Sequence, residues 1–147
     1  MCHETEVKKT SSLLTWSILT SASIFDAMSY RIPNQLIILG YAAGIYFNLA
    51  EYGMQGFVHF ICKASWPILA LSILYLFGKQ MGAGDIKLFS VMATTMGTRI
   101  TVNTIILSVM LAAITIVLVS LYEGQLLKRK LHYSFYITAA FFLLSYN

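Results

Sequence analysis

The chain alternates long apolar runs with brief polar interruptions. Apolar stretches cover Leu13 to Met28, Leu36 to Tyr52, Phe57 to Phe77, Ile86 to Met96, Ile100 to Tyr122 and Leu131 to Tyr146. Between them fall Tyr30 to Gln35, Glu51 to Gly56, Gly78 to Gly84, Gly97 to Arg99 and Glu123 to Lys130, which hold most of the glycine and charge. A membrane-crossing helix needs about 20 predominantly apolar residues, with a usual range of roughly 17 to 25. The third and fifth runs reach that length unaided, and the first, second and sixth reach it with their flanks. The fourth is short. Its shortness fits a helix that starts inside the membrane after the Gly82 to Asp85 loop, since irregular backbone at that depth is tolerated where it lines a cavity or is buried in protein. The pattern predicts an all-α polytopic membrane protein, a bundle of about six transmembrane helices. Pro67 lies inside the third run and predicts a kink of a kind that neighbouring helices accommodate, a packing feature rather than chemistry.

Composition strengthens the membrane reading. Hydrophobic residues make up 58% of the chain and charged ones 11%, whereas a soluble domain carries about 25% charged residues. With 147 residues and nearly every stretch claimed by an apolar run, one membrane-embedded domain, 1–147, is expected. No internal repeat or long linker is visible.

The basic residues suggest an orientation. Arg31, Lys79, Lys87, Lys128, Arg129 and Lys130 belong to alternate connections and share one side, while Arg99, Lys63, Lys8 and Lys9 belong to the other. Cytoplasmic loops carry the excess of Lys and Arg, so the first set is expected to face the cytoplasm with both termini outside. Lys8 and Lys9 oppose this, partly offset by Glu4 and Glu6. Loop cations account for the net charge of +4, and no nucleic-acid partner is expected. Lys8 and Lys9, the run from Leu13 to Phe25 and Ser21-Ala22-Ser23 also have the outline of a signal peptide. A retained first span is favoured, because cleavage would leave Asp26 near a new terminus.

Several chemistries lack their residues. Cys2 and Cys62 supply neither a zinc ribbon nor a disulfide framework. His3-Glu4 begins like a metalloprotease motif, but Val7 stands where the second His is required. His59 and His132 are isolated and read as interfacial or packing residues. No Gly-x-Ser-x-Gly, phosphate-binding loop or dinucleotide fingerprint occurs. No metal and no cofactor are expected.

Asp26 and Asp85 remain, the two aspartates of the chain. A carboxylate near hydrocarbon costs about 2.5 to 3.5 kcal/mol even on lenient insertion scales, so such residues are usually functional. Asp26 precedes Ile32-Pro33-Asn34, and Asp85 closes Gly82-Ala83-Gly84-Asp85. Each neighbour also has a structural reading. Gly82 and Gly84 permit a tight turn, and equally let a substrate backbone come close. Asp85 suits a helix N-cap, Pro33 a helix stop and Asn34 the cap of the second helix. Lys87 is either a snorkelling anchor or a cation that tunes Asp85.

The order of these elements, Asp26 through Ile32-Pro33-Asn34 after a first apolar segment, then Gly82-Ala83-Gly84-Asp85-Ile86-Lys87-Leu88 before a later one, resembles the type IV prepilin peptidases, polytopic aspartic proteases of the Gly-x-Gly-Asp class. The resemblance extends over essentially the whole chain, but its specificity sits in those two stretches. It implies that Asp26 and Asp85 form a catalytic pair, with Gly82 and Gly84 shaping the loop that presents the second. It also implies cleavage of a short leader from prepilins at the cytoplasmic face of the plasma (inner) membrane, at a Gly before a hydrophobic helix. Larger relatives carry an extra region with paired cysteines and methylate the new N-terminus; this sequence is more similar to the short peptidases of tight-adherence (Flp-type) pilus systems. It departs from many members at Tyr133-Ser134-Phe135-Tyr136, where they have a Pro-containing stretch.

The chemistry asks for such a pair independently. Hydrolysis without a metal or covalent intermediate needs one carboxylate to take a proton from water and one carboxylic acid to polarise the carbonyl. Two carboxyls about 3 Å apart share a proton and titrate as a unit. The alternatives are a proton-coupled transporter or channel subunit, since intramembrane acids also relay protons, and a non-catalytic subunit of a pilus or secretion machine. Expected partners are the prepilin and membrane lipid; the sequence leaves the oligomeric state open.

Overall fold

A computed structural model describes residues 2–29, 32–78, 82–123 and 133–146. They form six helices: α1 (Cys2–Ser29), α2 (Asn34–Tyr52), α3 (Gly56–Gly78), α4 (Ala83–Met96), α5 (Thr98–Glu123) and α6 (Tyr133–Tyr146), with a short 3-10 turn, Gly53–Gln55, joining α2 to α3. Each apolar run of the sequence becomes one helix. The chief difference is α1, which begins at Cys2 and takes in the lysines read as a polar tail. No Gly or Pro interrupts residues 2–12, so nothing stops the helix there, and Thr10 Oγ1 donates back to the Glu6 carbonyl at 2.9 Å. Arg31, Lys79, Lys128, Arg129, Lys130 and His132 lie outside the described residues.

The short α4 is the centre of the bundle. It contacts α1, α2, α3 and α5, and its residues from Asp85 to Thr95 are buried except Lys87. That burial explains its length: a helix wrapped by others need not span hydrocarbon on its own. Two of its buried hydroxyls are satisfied within the helix, Thr94 Oγ1 donating to the Val91 carbonyl at 2.7 Å and Thr95 Oγ1 to the Val91 and Met92 carbonyls at 3.2 Å. Phe89, Leu88, Val91 and Met92 join Leu19 of α1, Ile37 of α2, Leu71 of α3 and Ile137 and Phe141 of α6 in one core.

α2 approaches α4 through two glycines one turn apart. A Cβ at Gly40 would overlap the Val91 side chain, and one at Gly44 would overlap Thr94. Gly40 and Gly44 form a Gly-xxx-Gly pair, the arrangement that lets membrane helices pack backbone to backbone. Pro67 sits within α3. Three residues before it, the Ala64 carbonyl accepts a 2.8 Å hydrogen bond from Ser90 Oγ, which ties α3 to α4 near the proline.

Polarity is arranged inside out. On α5 the buried positions are Thr101, Thr104, Ser108 and Ala112, while Ile106, Met110, Val117, Leu118 and Leu121 are exposed. A helix that turns hydroxyls to its neighbours and aliphatics outward is suited to lipid, where apolar surface gains nothing by burial and small or hydroxyl residues mediate packing. Two helical stretches are long and apolar enough to cross a membrane, Thr98–Leu121 and Asn34–Ile73, the latter divided by the turn into α2 and α3. The protein is an all-helical membrane protein.

Candidate active site

Asp26 lies in the last turn of α1, half-buried. The seam between α1 and α6 sets its position. Ser23, one turn earlier, has its Oγ 2.6 Å from Thr138 Oγ1 of α6, and Ser134 Oγ, one turn before Thr138, donates to Asp26 Oδ2 at 2.6 Å. Hydroxyls on one helix face therefore meet hydroxyl and carboxylate on another, two successive rungs.

Asp85 is buried in the first turn of α4, at 7% exposure. Gly82 occupies the N-cap position with extended backbone, and Asp85 is the third helical residue. Its Oδ2 accepts the Gly82 N–H at 3.1 Å, satisfying one of the amides that a helix start leaves without a partner. The expected N-cap role is thereby corrected: Asp85 reaches back to the cap from inside the helix. Asp85 shares its end of the bundle with Asp26 at the end of α1 and with Tyr133 at the start of α6. Tyr133 is in turn 3.2 Å from Ser108 Oγ of α5.

The two acidic motifs pack as one unit. A Cβ on Gly84 would stand 3.3 Å from Ile32 Cδ1, and one on Gly82 would stand 3.0 Å from Asp85 Oδ2. The absence of a side chain at Gly84 lets the segment entering α2 lie against the α4 start, and its absence at Gly82 leaves room for the Asp85 carboxyl. Lys87 Nζ, exposed, donates to Asn34 Oδ1 at 3.4 Å. Lys87 thus bonds to the first motif, and no hydrogen bond joins it to Asp85 among the described residues. Asn34 does not cap α2; Pro33 holds the cap position without a side-chain bond, because Asn34 is already inside the helix with its amide oxygen engaged by Lys87.

At the opposite end of the bundle is a cavity of about 710 Å³, lined by Ser11, Asn48, Tyr52, Lys63, Gly97 and Arg99 among others. Its lining includes neither aspartate. Buried Asn48 donates from Nδ2 to the Gly44 and Thr94 carbonyls, both at 2.7 Å, and accepts from Lys63 Nζ at 2.8 Å; the lysine also stands 5.0 Å from the Tyr52 ring centre. Lys63 and Arg99, assigned to one side by the sequence, do share one end.

Among the described residues, no three His, Cys, Asp or Glu side chains gather as a metal site would require. The chemistry open to carboxyl groups at such an end is proton transfer. A model of the type IV leader peptidase family matches residues 13–146. The chain belongs to this family. No curated protein and no solved structure matches it. The family match begins in α1 before Asp26, ends at Tyr146 and so takes in both motifs and all of α6. As a leader peptidase family member the chain is a peptidase, with prepilins as its general substrate class.

Sequence reasoning passed over Ser134 and Tyr133 as functional residues, treating their stretch as a departure in the last segment. The signal was present in the spacing of Ser134 and Thr138, two hydroxyls four apart in an otherwise apolar run. Gly40 with Gly44, and Asn48 with Lys63, were legible in the same way as small or polar exceptions inside apolar runs.

Proposed function

We propose that this peptidase is an aspartic endopeptidase that removes the short leader from type IV prepilins at the cytoplasmic face of the plasma membrane, with Asp26 and Asp85 activating water. The observation that carries this reading is that the chain's two aspartates stand at one end of the bundle, at the end of α1 and the start of α4, two helices in contact, with Ile32 of the first motif packed on Gly84 of the second. Neither carboxylate is neutralised by a cation within the described residues: Lys87 is bound to Asn34, and the groups donating to the aspartates are a serine hydroxyl and a backbone amide.

The reaction uses one ionised and one protonated carboxyl. The ionised member takes a proton from a water molecule as the water oxygen attacks the scissile carbonyl carbon. The protonated member gives its proton to the carbonyl oxygen, and a tetrahedral intermediate forms. As that intermediate collapses and the C–N bond breaks, one of its hydroxyls returns its proton to the ionised carboxyl, the other carboxyl protonates the leaving amine, and the pair is left with one proton beside the new carboxyl group. Gly82 and Gly84, which carry no side chain beside Asp85, let an extended substrate backbone approach. The prepilin segment just after its cleavage point is apolar, which suits a site at the end of a lipid-embedded bundle. The cytoplasmic assignment rests on the count of loop cations.

The test is reconstitution in proteoliposomes with a peptide carrying a basic leader, a Gly and an apolar helix. Mass spectrometry is expected to find a single cut directly after the Gly. Substrate recovered intact, with the protein correctly inserted, would overturn the reading.

A further inference from the structure

We propose that Ser134 is a positioning residue for the reaction, its hydroxyl fixing the rotamer of the Asp26 carboxyl and leaving one defined oxygen of that carboxyl to face the water. The inference rests on the proposed role of the two aspartates and adds to it a third side chain, from α6.

Ser134 differs from most hydroxyls of the described bundle in donating to a carboxylate rather than to a backbone carbonyl. Thr15, Thr20, Thr101, Thr104 and Thr115 each donate to the carbonyl four residues earlier in their own helix, the usual fate of a hydroxyl in an apolar helix. Ser134 is the second described residue of α6. Its hydroxyl instead crosses to α1 and reaches Asp26 Oδ2 at 2.6 Å, within the short range of hydrogen bonds to a charged oxygen. The residue is fully buried, at 0% exposure.

The hydroxyl is held from both sides. Tyr133 beside it is anchored to Ser108 of α5 at 3.2 Å, and one turn later Thr138 is anchored to Ser23 of α1 at 2.6 Å. Asp26 is half-buried at a helix end, where a carboxyl with no such partner would sample several rotamers. A reacting group displaced by about 1 Å loses on the order of a hundredfold in rate, so fixing that rotamer has a direct kinetic consequence. With Oδ2 occupied by the serine proton, Oδ1 is the oxygen left to take the proton of water.

The experiment compares wild type, Ser134→Ala, Ser134→Cys and Asp26→Asn in proteoliposomes with the leader-bearing peptide, measuring kcat and KM separately. Ser134→Ala is expected to lower kcat roughly ten- to a hundredfold with KM within about twofold, because the bond orients a catalytic group and does not touch the bound peptide. Ser134→Cys retains side-chain volume but donates weakly, and is expected to lose a similar factor; it decides the matter if the alanine protein aggregates. Asp26→Asn is expected to be inactive. Full kcat in a well-inserted Ser134→Ala or Ser134→Cys protein, with Asp26→Asn inactive, would overturn the positioning role alone. Cleavage by Asp26→Asn would instead overturn the aspartate reading on which it rests.

Discussion

Gly84 is the point where the two acidic motifs touch. An added Cβ would lie 3.3 to 3.4 Å from Ile32 Cδ1, Cβ and Cγ1, a contact tight by a few tenths of an ångström against the flexible end of an isoleucine as well as its stem. Gly84→Ala is therefore expected to cost leader cleavage only a few-fold, as Ile32 shifts. Gly84→Val places branched carbons against the same stem and is expected to displace the Asp85 turn by about 1 Å, with a loss of kcat/KM on the order of a hundredfold. Kinetics on inserted proteins with matching circular dichroism check this; equal activity of both variants would contradict it. At this scale the sequence placed the two acidic motifs but not the bonds that their side chains make. Asp85 as a cap residue and Asn34 as the cap of α2 were both off by a position or more, because a cap depends on where the first helical turn closes, and Pro33 and Gly82 took the cap positions themselves. The bond from Lys87 to Asn34 joins segments far apart in the chain, which local pattern does not reveal.

At the scale of the element, each of the six apolar runs gave one helix, with α1 beginning eleven residues before its run, since a run of apolar side chains in lipid has few alternatives to a helix. Which face of each helix turns inward was less legible. In water the apolar face is buried, whereas here α5 buries Thr101, Thr104 and Ser108 and exposes its aliphatics, so the informative positions are the exceptions within the run. Gly40 and Gly44 are such exceptions, and they set the distance from α2 to α4. Gly44→Val would drive new carbons into Thr94 and is expected to destabilise the bundle by about 1 to 3 kcal/mol, the usual cost of overpacking. The same change at exposed Ala42 is expected to stay within about 0.5 kcal/mol. Unfolding midpoints in mixed micelles compare the two. An unchanged Gly44→Val midpoint would mean that α2 and α4 do not pack as closely as described.

For the whole molecule, the bundle has two chemically different ends. One carries Asn48, Lys63, Arg99 and the cavity between them; the other gathers the end of α1 and the starts of α2, α4 and α6 around Asp26 and Asp85. That the aspartates belong at one end was legible from the alternation of spans, because an even number of crossings separates a given end from its return. Their approach was not legible, since it depends on α4 threading the centre and on α6 closing the seam with α1, both matters of tertiary packing. The central claim is that the two carboxyls act as one unit. Asparagine keeps the size of aspartate and can still accept the Gly82 N–H, but cannot exchange the catalytic proton. The most direct measurement is therefore leader cleavage by inserted Asp26→Asn, Asp85→Asn and the double variant. Each single change is expected to abolish cleavage, and the double to cost little more than either, as residues acting together are non-additive. Normal cleavage by Asp85→Asn, or losses that multiply in the double variant, would contradict the account.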